Sequence, residues 1–192
     1  MKKILFIIII ISLFSCQHDN KNKVDKIVDS SFSILIKSLK DSVNHNNKPK
    51  IFFALDSECP LCTSYSHTIN QLHQEYQGDF DFYAFFPSPV FNQQKNDIFR
   101  QKNQLKIPFL IDTTQTITHF LDAQVTPESF VLDTNLNIIY KGMIDDWVKE
   151  LGRKSLYINN HYLKNAMDEY LNGQLITIKQ TTAIGCVIQN KK

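Results

Sequence analysis

The stretch KIFFALDSECPLCTSYSHTINQLHQEYQG, residues 50–78, decides how this chain folds. It opens on a continuous apolar run, KIFFAL (50–55), which fits a strand buried in a parallel or mixed sheet. From Pro60 to about Gln77, the residues Leu61, Tyr65, Ile69, Leu72 and Tyr76 fall on one helical stripe, and Gly78 marks a stop. Cys59 and Cys62, two of the four cysteines, sit at the junction of strand and helix.

That placement has chemical consequences. Cys59 is the last residue before the helix, and Pro60 takes the first helical position, where its missing N–H costs nothing. A thiolate at Cys59 can accept hydrogen bonds from the N–H groups of Leu61 and Cys62 at the positive end of the helix dipole. Both effects lower its pKa below the usual value of about 8.5, and the thiolate is the species that attacks disulfides. Cys62, nearly one turn further on, can close an internal disulfide with Cys59. Two other readings compete with a redox couple. The thiols could be inert apolar side chains, or they could bind metal. A zinc site needs about four ligands, yet no second Cys-Xaa-Xaa-Cys exists, and His67 reads as a surface helix residue. Haem attachment would need a histidine after the second cysteine, where Thr63 stands.

Lys2 and Lys3 precede residues 4–14, apolar apart from Ser12. This is too short for a bilayer-crossing helix, which needs about 20 residues, and it fits a secretory signal. The run ends in LFSC (13–16), which resembles the lipobox of bacterial lipoproteins. The resemblance implies cleavage before Cys16 and acylation of that cysteine, a membrane anchor of two or more chains. The expected organisation is a signal peptide at 1–15, a lipidated tether at 16–23, an N-terminal segment at 24–47 and a redox domain at 48–189. Within 24–47, Val24, Ile27, Val28, Leu35 and Leu39 predict a helix near 24–43. The expected location is the bacterial cell envelope, lipid-anchored and extracytoplasmic, where thiols tend to be oxidised. Beyond Cys16, the cysteines are Cys59, Cys62 and Cys186, an odd number that leaves one unpaired or only transiently paired.

The full chain carries 21 basic and 19 acidic side chains. Loss of Lys2 and Lys3 would make the two equal. No cluster of Lys and Arg suggests a nucleic-acid surface. With 43% hydrophobic residues and fourteen Phe, the chain can bury a real core.

Downstream, DFDFYAFFP (79–87) reads as a second strand, 91–104 as a surface helix, IPFLID (107–112) as a third strand and 113–124 as a short helix. ESFVLD (128–133) and IIYKG (138–142), separated by TNLN, read as a hairpin. Residues 159–172 form a last helix ended by Gly173, and the tail adds a short strand. Strands alternating with helices before a closing hairpin specify an α/β fold, a mixed central sheet flanked by helices.

The CPLC helix start together with VTPESFVLD and LNIIYKGMIDD resembles the thioredoxin-like fold. More narrowly, it resembles extracytoplasmic redoxins related to the alkyl hydroperoxide reductase/thiol-specific antioxidant family. The resemblance implies that Thr126-Pro127 is a cis-proline loop facing Cys59 and Cys62. It implies a substrate groove formed by Pro60, Leu61, Thr126 and Pro127, in which an extended segment pairs with Thr126. It implies thiol–disulfide exchange on protein or small-molecule substrates, with an external protein as electron donor and no bound cofactor. Departures are visible. Glu58 precedes the motif where thioredoxin has Trp, and Pro-Leu replaces Gly-Pro. Asp56 stands where peroxiredoxins carry Thr. The alternatives are a thiol peroxidase and a non-enzymatic module that binds metal or a partner through the thiols.

Asp56 and Glu58 flank the site as possible accessory groups. Cys186, in the apolar setting AIGCVI, is a buried small hydrophobe or a third redox thiol. Asp145 or Asp146 could accept a proton, although a polar turn is the simpler role. The redox reading requires adjacent sulfurs, a nearby Pro127 and an attacking sulfur within solvent's reach.

Overall fold

The computed structural model describes residues 47–88, 90 and 92–189. The signal segment, Cys16, the tether and the helix near 24–43 lie outside the described residues.

The chain begins with β1 (Lys50–Ala54), every residue of which is buried. Even Lys50 is covered, its ammonium 3.2 Å from Asp81. The helix α1 (Pro60–Tyr76) follows and buries the stripe Leu61, Tyr65, Ile69, Leu72 and Tyr76. A fully buried apolar side chain of this size contributes about 1.5–3 kcal/mol, so the stripe fixes the helix on the sheet. Next come β2 (Asp81–Phe86), α2 (Gln93–Lys102), β3 (Phe109–Ile111) and α3 (Thr116–Leu121). The chain continues as β4 (Val125–Thr126), β5 (Glu128–Leu132), β6 (Ile138–Gly142), β7 (Val148–Glu150), β8 (Arg153–Lys154), α4 (Tyr162–Leu171) and β9 (Cys186–Val187).

The central sheet has five strands in the order β3-β2-β1-β5-β6. The pairs β1/β2 and β2/β3 are parallel, whereas β1/β5 and β5/β6 are antiparallel. Side chains alternate across this sheet. Ile51, Phe53, Phe82, Ala84, Phe86 and Val131 join one core with the apolar stripe of α1, Phe99 of α2 and Leu163, Ala166 and Met167 of α4. Phe52 stacks on Tyr83, and Phe85 meets Phe130, on the opposite face.

Element ends depart from the sequence pattern for local reasons. Helix α3 is half the length expected over 113–124. The Asp112 carboxylate accepts from the N–H groups of Ile117 and Thr118 at 3.1 and 2.8 Å and starts the helix late. Asp122, at φ +52°, closes it early. Gly78 follows α1, but the cap residue Gln77 stays right-handed. Gly173, after α4, does turn left-handed, at φ +66°. The small β7/β8 hairpin has no alternating pattern to announce it.

The C-terminal tail runs beside β6 and then crosses to β4. Lys141 N–H donates to Lys179 O, and Thr181 N–H donates back to Lys141 O, at 3.1 and 3.0 Å. Gly142 makes this approach possible: a Cβ there would stand 2.3 Å from the Thr181 carbonyl oxygen, at a φ of +133°. Beyond this crossing, β9 pairs antiparallel with β4, with Thr126 opposite Cys186 and Val125 opposite Val187.

Candidate active site

Three segments converge at the N-terminus of α1: the β1–α1 junction, the Thr126-Pro127 loop and the tail. Cys59 is the N-cap residue, with extended backbone, and Pro60 is the first helical residue. The thiol of Cys59 donates to the Thr126 carbonyl oxygen at 3.2 Å. The Thr126-Pro127 peptide is cis, as the resemblance implied. Cys62 lies under the helix start, fully buried, and its sulfur accepts from Asp56 N–H at 3.4 Å. Cys59, Cys62 and Cys186 are all free thiols.

Electrostatics separate the three. The Cys59 thiol is lowered from 9.0 to about 4. The hydrogen bond from the Cys62 thiol is the main cause. Burial opposes the shift, and the Cys186 thiol and the N–H groups of Cys62 and Leu61 assist it. Cys62 is raised well above 9.0, first by burial and then by its hydrogen bond with Cys59 and the charge there. Cys186 is pushed up to about 12, by burial first and then by the same neighbour. Of the three thiols, Cys59 is therefore the one that ionises most readily.

The remaining predicted residues are spread around this centre. Thr126 is buried, and Leu61 nearly so, while Pro60 is exposed. The Asp56 carboxylate accepts from Glu58 N–H at 2.8 Å, and exposed Glu58 pairs with Lys95 of α2 at 2.7 Å. Asp145 does not serve the cysteines. It accepts from the Tyr65 hydroxyl at 2.8 Å and from Trp147 N–H at 3.0 Å. Asp146 instead ties down the 159–160 turn, accepting from the N–H groups of Asn159 and Asn160. Both aspartates are structural, as a polar turn would have them.

One expectation is corrected. The attacking sulfur is covered: Cys59 is 2% exposed and Cys62 0%. β9 of the tail lies on the β4 edge, with Cys186 opposite Thr126, the residue whose carbonyl accepts the Cys59 thiol. A cavity of about 430 Å³ opens beside it, lined by Asp56, Ser57, Glu58, Lys95, Thr126 and Cys186 among others. Lys95 of α2 and the tail residues Ile188 and Gln189 also reach this cavity, and no pattern in the sequence marks them. Of the residues expected to form the groove, Thr126 lines this cavity, whereas Pro60, Leu61 and Pro127 do not. Among the described residues, no group of three His, Cys, Asp or Glu side chains is disposed to hold a metal ion.

This is a thioredoxin-like fold with a paired-thiol helix start. The family model of the AhpC/TSA family matches residues 34–141, more than half of the chain, and the chain belongs to that family. Among solved structures, an uncharacterized conserved protein from Geobacillus kaustophilus is similar at a TM-score of 0.67 and 22% identity, over 76% of this chain and 78% of that one. A hypothetical protein from Sinorhizobium meliloti 1021 is similar at 0.65 and 20% identity, over 76% and 81%. A thioredoxin-like protein solved in its oxidized form is similar at 0.52 and 15% identity, over 67% and 81%. These likenesses show the fold. No curated protein matches this chain. The family match ends before the tail, so Cys186 lies outside it.

Proposed function

We propose that this chain is a lipid-anchored, extracytoplasmic thiol–disulfide oxidoreductase. The single observation that carries the reading is the placement of Cys59 at the N-cap of α1, its sulfur on the Thr126 carbonyl of the cis-proline loop and Cys62 buried nearly one turn further on. Cys59 thiolate attacks one sulfur of a substrate disulfide, and the other sulfur leaves as a thiolate. Cys62 then gives up its proton and attacks the Cys59 sulfur. The second substrate thiolate departs and a Cys59–Cys62 disulfide remains. An external protein dithiol reduces it again, and no bound cofactor takes part. A protein substrate reaches Cys59 by taking the place of β9 on β4. That pairing is only two residues long.

The peroxidase alternative asks for donors that stabilise a departing oxygen. Both arginines of the chain are engaged elsewhere: Arg100 lies over the Phe109 ring and Arg153 pairs with Glu150. Asp56 stands at the position where peroxiredoxins carry a threonine.

The test is equilibration of the purified full chain with glutathione buffers, followed by insulin reduction. A Cys59–Cys62 couple near −270 mV makes the protein a reductant, and one near −120 mV an oxidant. Loss of all turnover in Cys59→Ser is expected. Rapid reaction with hydrogen peroxide and no exchange with disulfides would instead establish the peroxidase. Anchoring is supported by residues 1–16 alone. Metabolic labelling with a fatty acid checks it, and the label must vanish in Cys16→Ala.

A further inference from the structure

The tail brings a third thiol to the Thr126-Pro127 loop. Cys186 is the partner of Thr126 across the β4/β9 ladder, and the carbonyl oxygen of that same Thr126 accepts the Cys59 S–H. Gly185 lets the tail lie flat against the loop: a Cβ there would stand 2.3 Å from Thr126 O and 3.3 Å from Pro127 N. The tail is fastened on both sides of this point. Thr181 Oγ1 accepts from Met143 N–H at 2.8 Å, Ile188 N–H donates to Gln124 O at 3.0 Å, and the Gln115 amide donates to Gln189 O at 2.6 Å. The thiols of Cys186 and Cys62 both act electrostatically on Cys59. The three sulfurs also differ in access. Cys59 and Cys62 are buried, whereas Cys186 is partly exposed and lines the 430 Å³ cavity.

We propose that Cys186 is a third redox thiol, which exchanges with the Cys59–Cys62 disulfide to form an alternative Cys59–Cys186 disulfide. The proposal rests on the thiol–disulfide reading above, since the first disulfide supplies the oxidation state. In the oxidised protein, Cys186 gives up its proton and its sulfur attacks Cys59 Sγ. The Cys59–Cys186 bond forms as the Cys59–Cys62 bond breaks. The electron pair leaves on Cys62, which takes up a proton. The three sulfurs together hold one disulfide before and after, so no oxidant or reductant is consumed. The exchange moves the disulfide from a fully buried sulfur to one that an outside thiol can meet through the cavity while the tail stays docked. The strand that covers Cys59 thereby acts as an internal substrate, delivered by the same edge pairing that captures extended peptides.

The test uses the full chain, reduced, then oxidised with oxidised glutathione. Samples are quenched in acid, free thiols are blocked with N-ethylmaleimide, and unreduced digests are mapped by mass spectrometry. In the wild type, both Cys59–Cys62 and Cys59–Cys186 linkages are expected. In Cys62→Ser, Cys59–Cys186 becomes the main internal disulfide. In the Cys62→Ser/Cys186→Ser double variant, glutathione stays on Cys59 and its release slows at least about a hundredfold, since a neighbouring nucleophile is worth far more than that in effective concentration. The proposal is overturned if Cys62→Ser keeps glutathione on Cys59 while Cys186 is alkylated. Should that variant fail to fold, the wild-type digest decides, and absence of any Cys59–Cys186 linkage overturns the proposal. A wild type that shows Cys59–Cys62 but never Cys59–Cys186 loses only the third thiol. A wild type that forms neither disulfide loses the oxidoreductase reading itself.

Discussion

Thr126 and Cys186 face each other across a two-residue antiparallel ladder, and through that pairing a cysteine at the end of the chain meets the thiol at the start of α1. The carbonyl of Thr126 binds the Cys59 thiol, while its strand partner carries the third sulfur. The cavity beside Cys59 is lined by both residues of this pair.

The charge is directly measurable. Reduced protein should show thiolate absorbance at 240 nm rising with a midpoint near pH 4. Cys62→Ala should move that midpoint upward the most, because the Cys62 thiol is the leading stabiliser of the thiolate. Cys186→Ala should move it upward by less. A midpoint that stays at the ordinary thiol value in the wild type would remove the basis of the proposed chemistry.

Gly185 controls the cover. In Gly185→Ala, the new Cβ would press on Thr126 O at 2.3 Å, so the tail must lift. Overpacking of this kind costs typically about 1–3 kcal/mol, which corresponds to roughly 5- to 150-fold more frequent opening. The alkylation rate of Cys59 with iodoacetamide should rise by a factor in that range. An unchanged rate would mean that the tail does not limit access.

Tyr65 joins the back of α1 to the loop after β6. Its hydroxyl donates to buried Asp145, and its ring meets Trp147 edge-on with centroids 5.5 Å apart. Burial first, and then the charge of Asp145, raise the Tyr65 phenol well above 10.0. Tyr65→Phe leaves the carboxylate one donor short, at a cost of about 1–3 kcal/mol. Denaturant unfolding at neutral pH measures this, and a variant as stable as the wild type would contradict the assignment.

Asp146 predicts an acid dependence. Burial would raise its carboxyl, but the bonds from Asn160, Asn159 and the Lys149 ammonium outweigh burial and hold it well below 3.8. A carboxyl lowered by folding stabilises fully above its unfolded value and loses that contribution as pH falls toward the folded one. Wild type should therefore exceed Asp146→Ala in Tm at pH 7, and the gap should narrow once pH drops below about 3.8. A gap that is constant with pH would argue against an ionised Asp146.

Much of this was legible in the sequence because it is encoded locally. The apolar run at 51–55 and the 3.6-residue stripe from Leu61 to Tyr76 can be buried in essentially one way. Proline directly after Cys59 fixes the helix start, and the start fixes the positive end of the dipole near the sulfur. The β5/β6 hairpin followed from two short apolar strands with a polar turn between them. The Thr126-Pro127 loop was legible only through family resemblance, since a Thr-Pro pair by itself does not announce its isomer.

The sequence alone thus determined a strand, a helix and a pair of thiols at their junction, because strand and helix periods and capping preferences act over a few residues. The tertiary structure decided that Cys59 is covered, that Cys186 stands beside it, and that Asp145 and Asp146 serve the turns and not the thiols. These relations join residues as far apart as Cys59 and Cys186. The place of Cys186 depends on how the tail crosses β6 at Gly142 and lies flat at Gly185, and no local pattern carries that path.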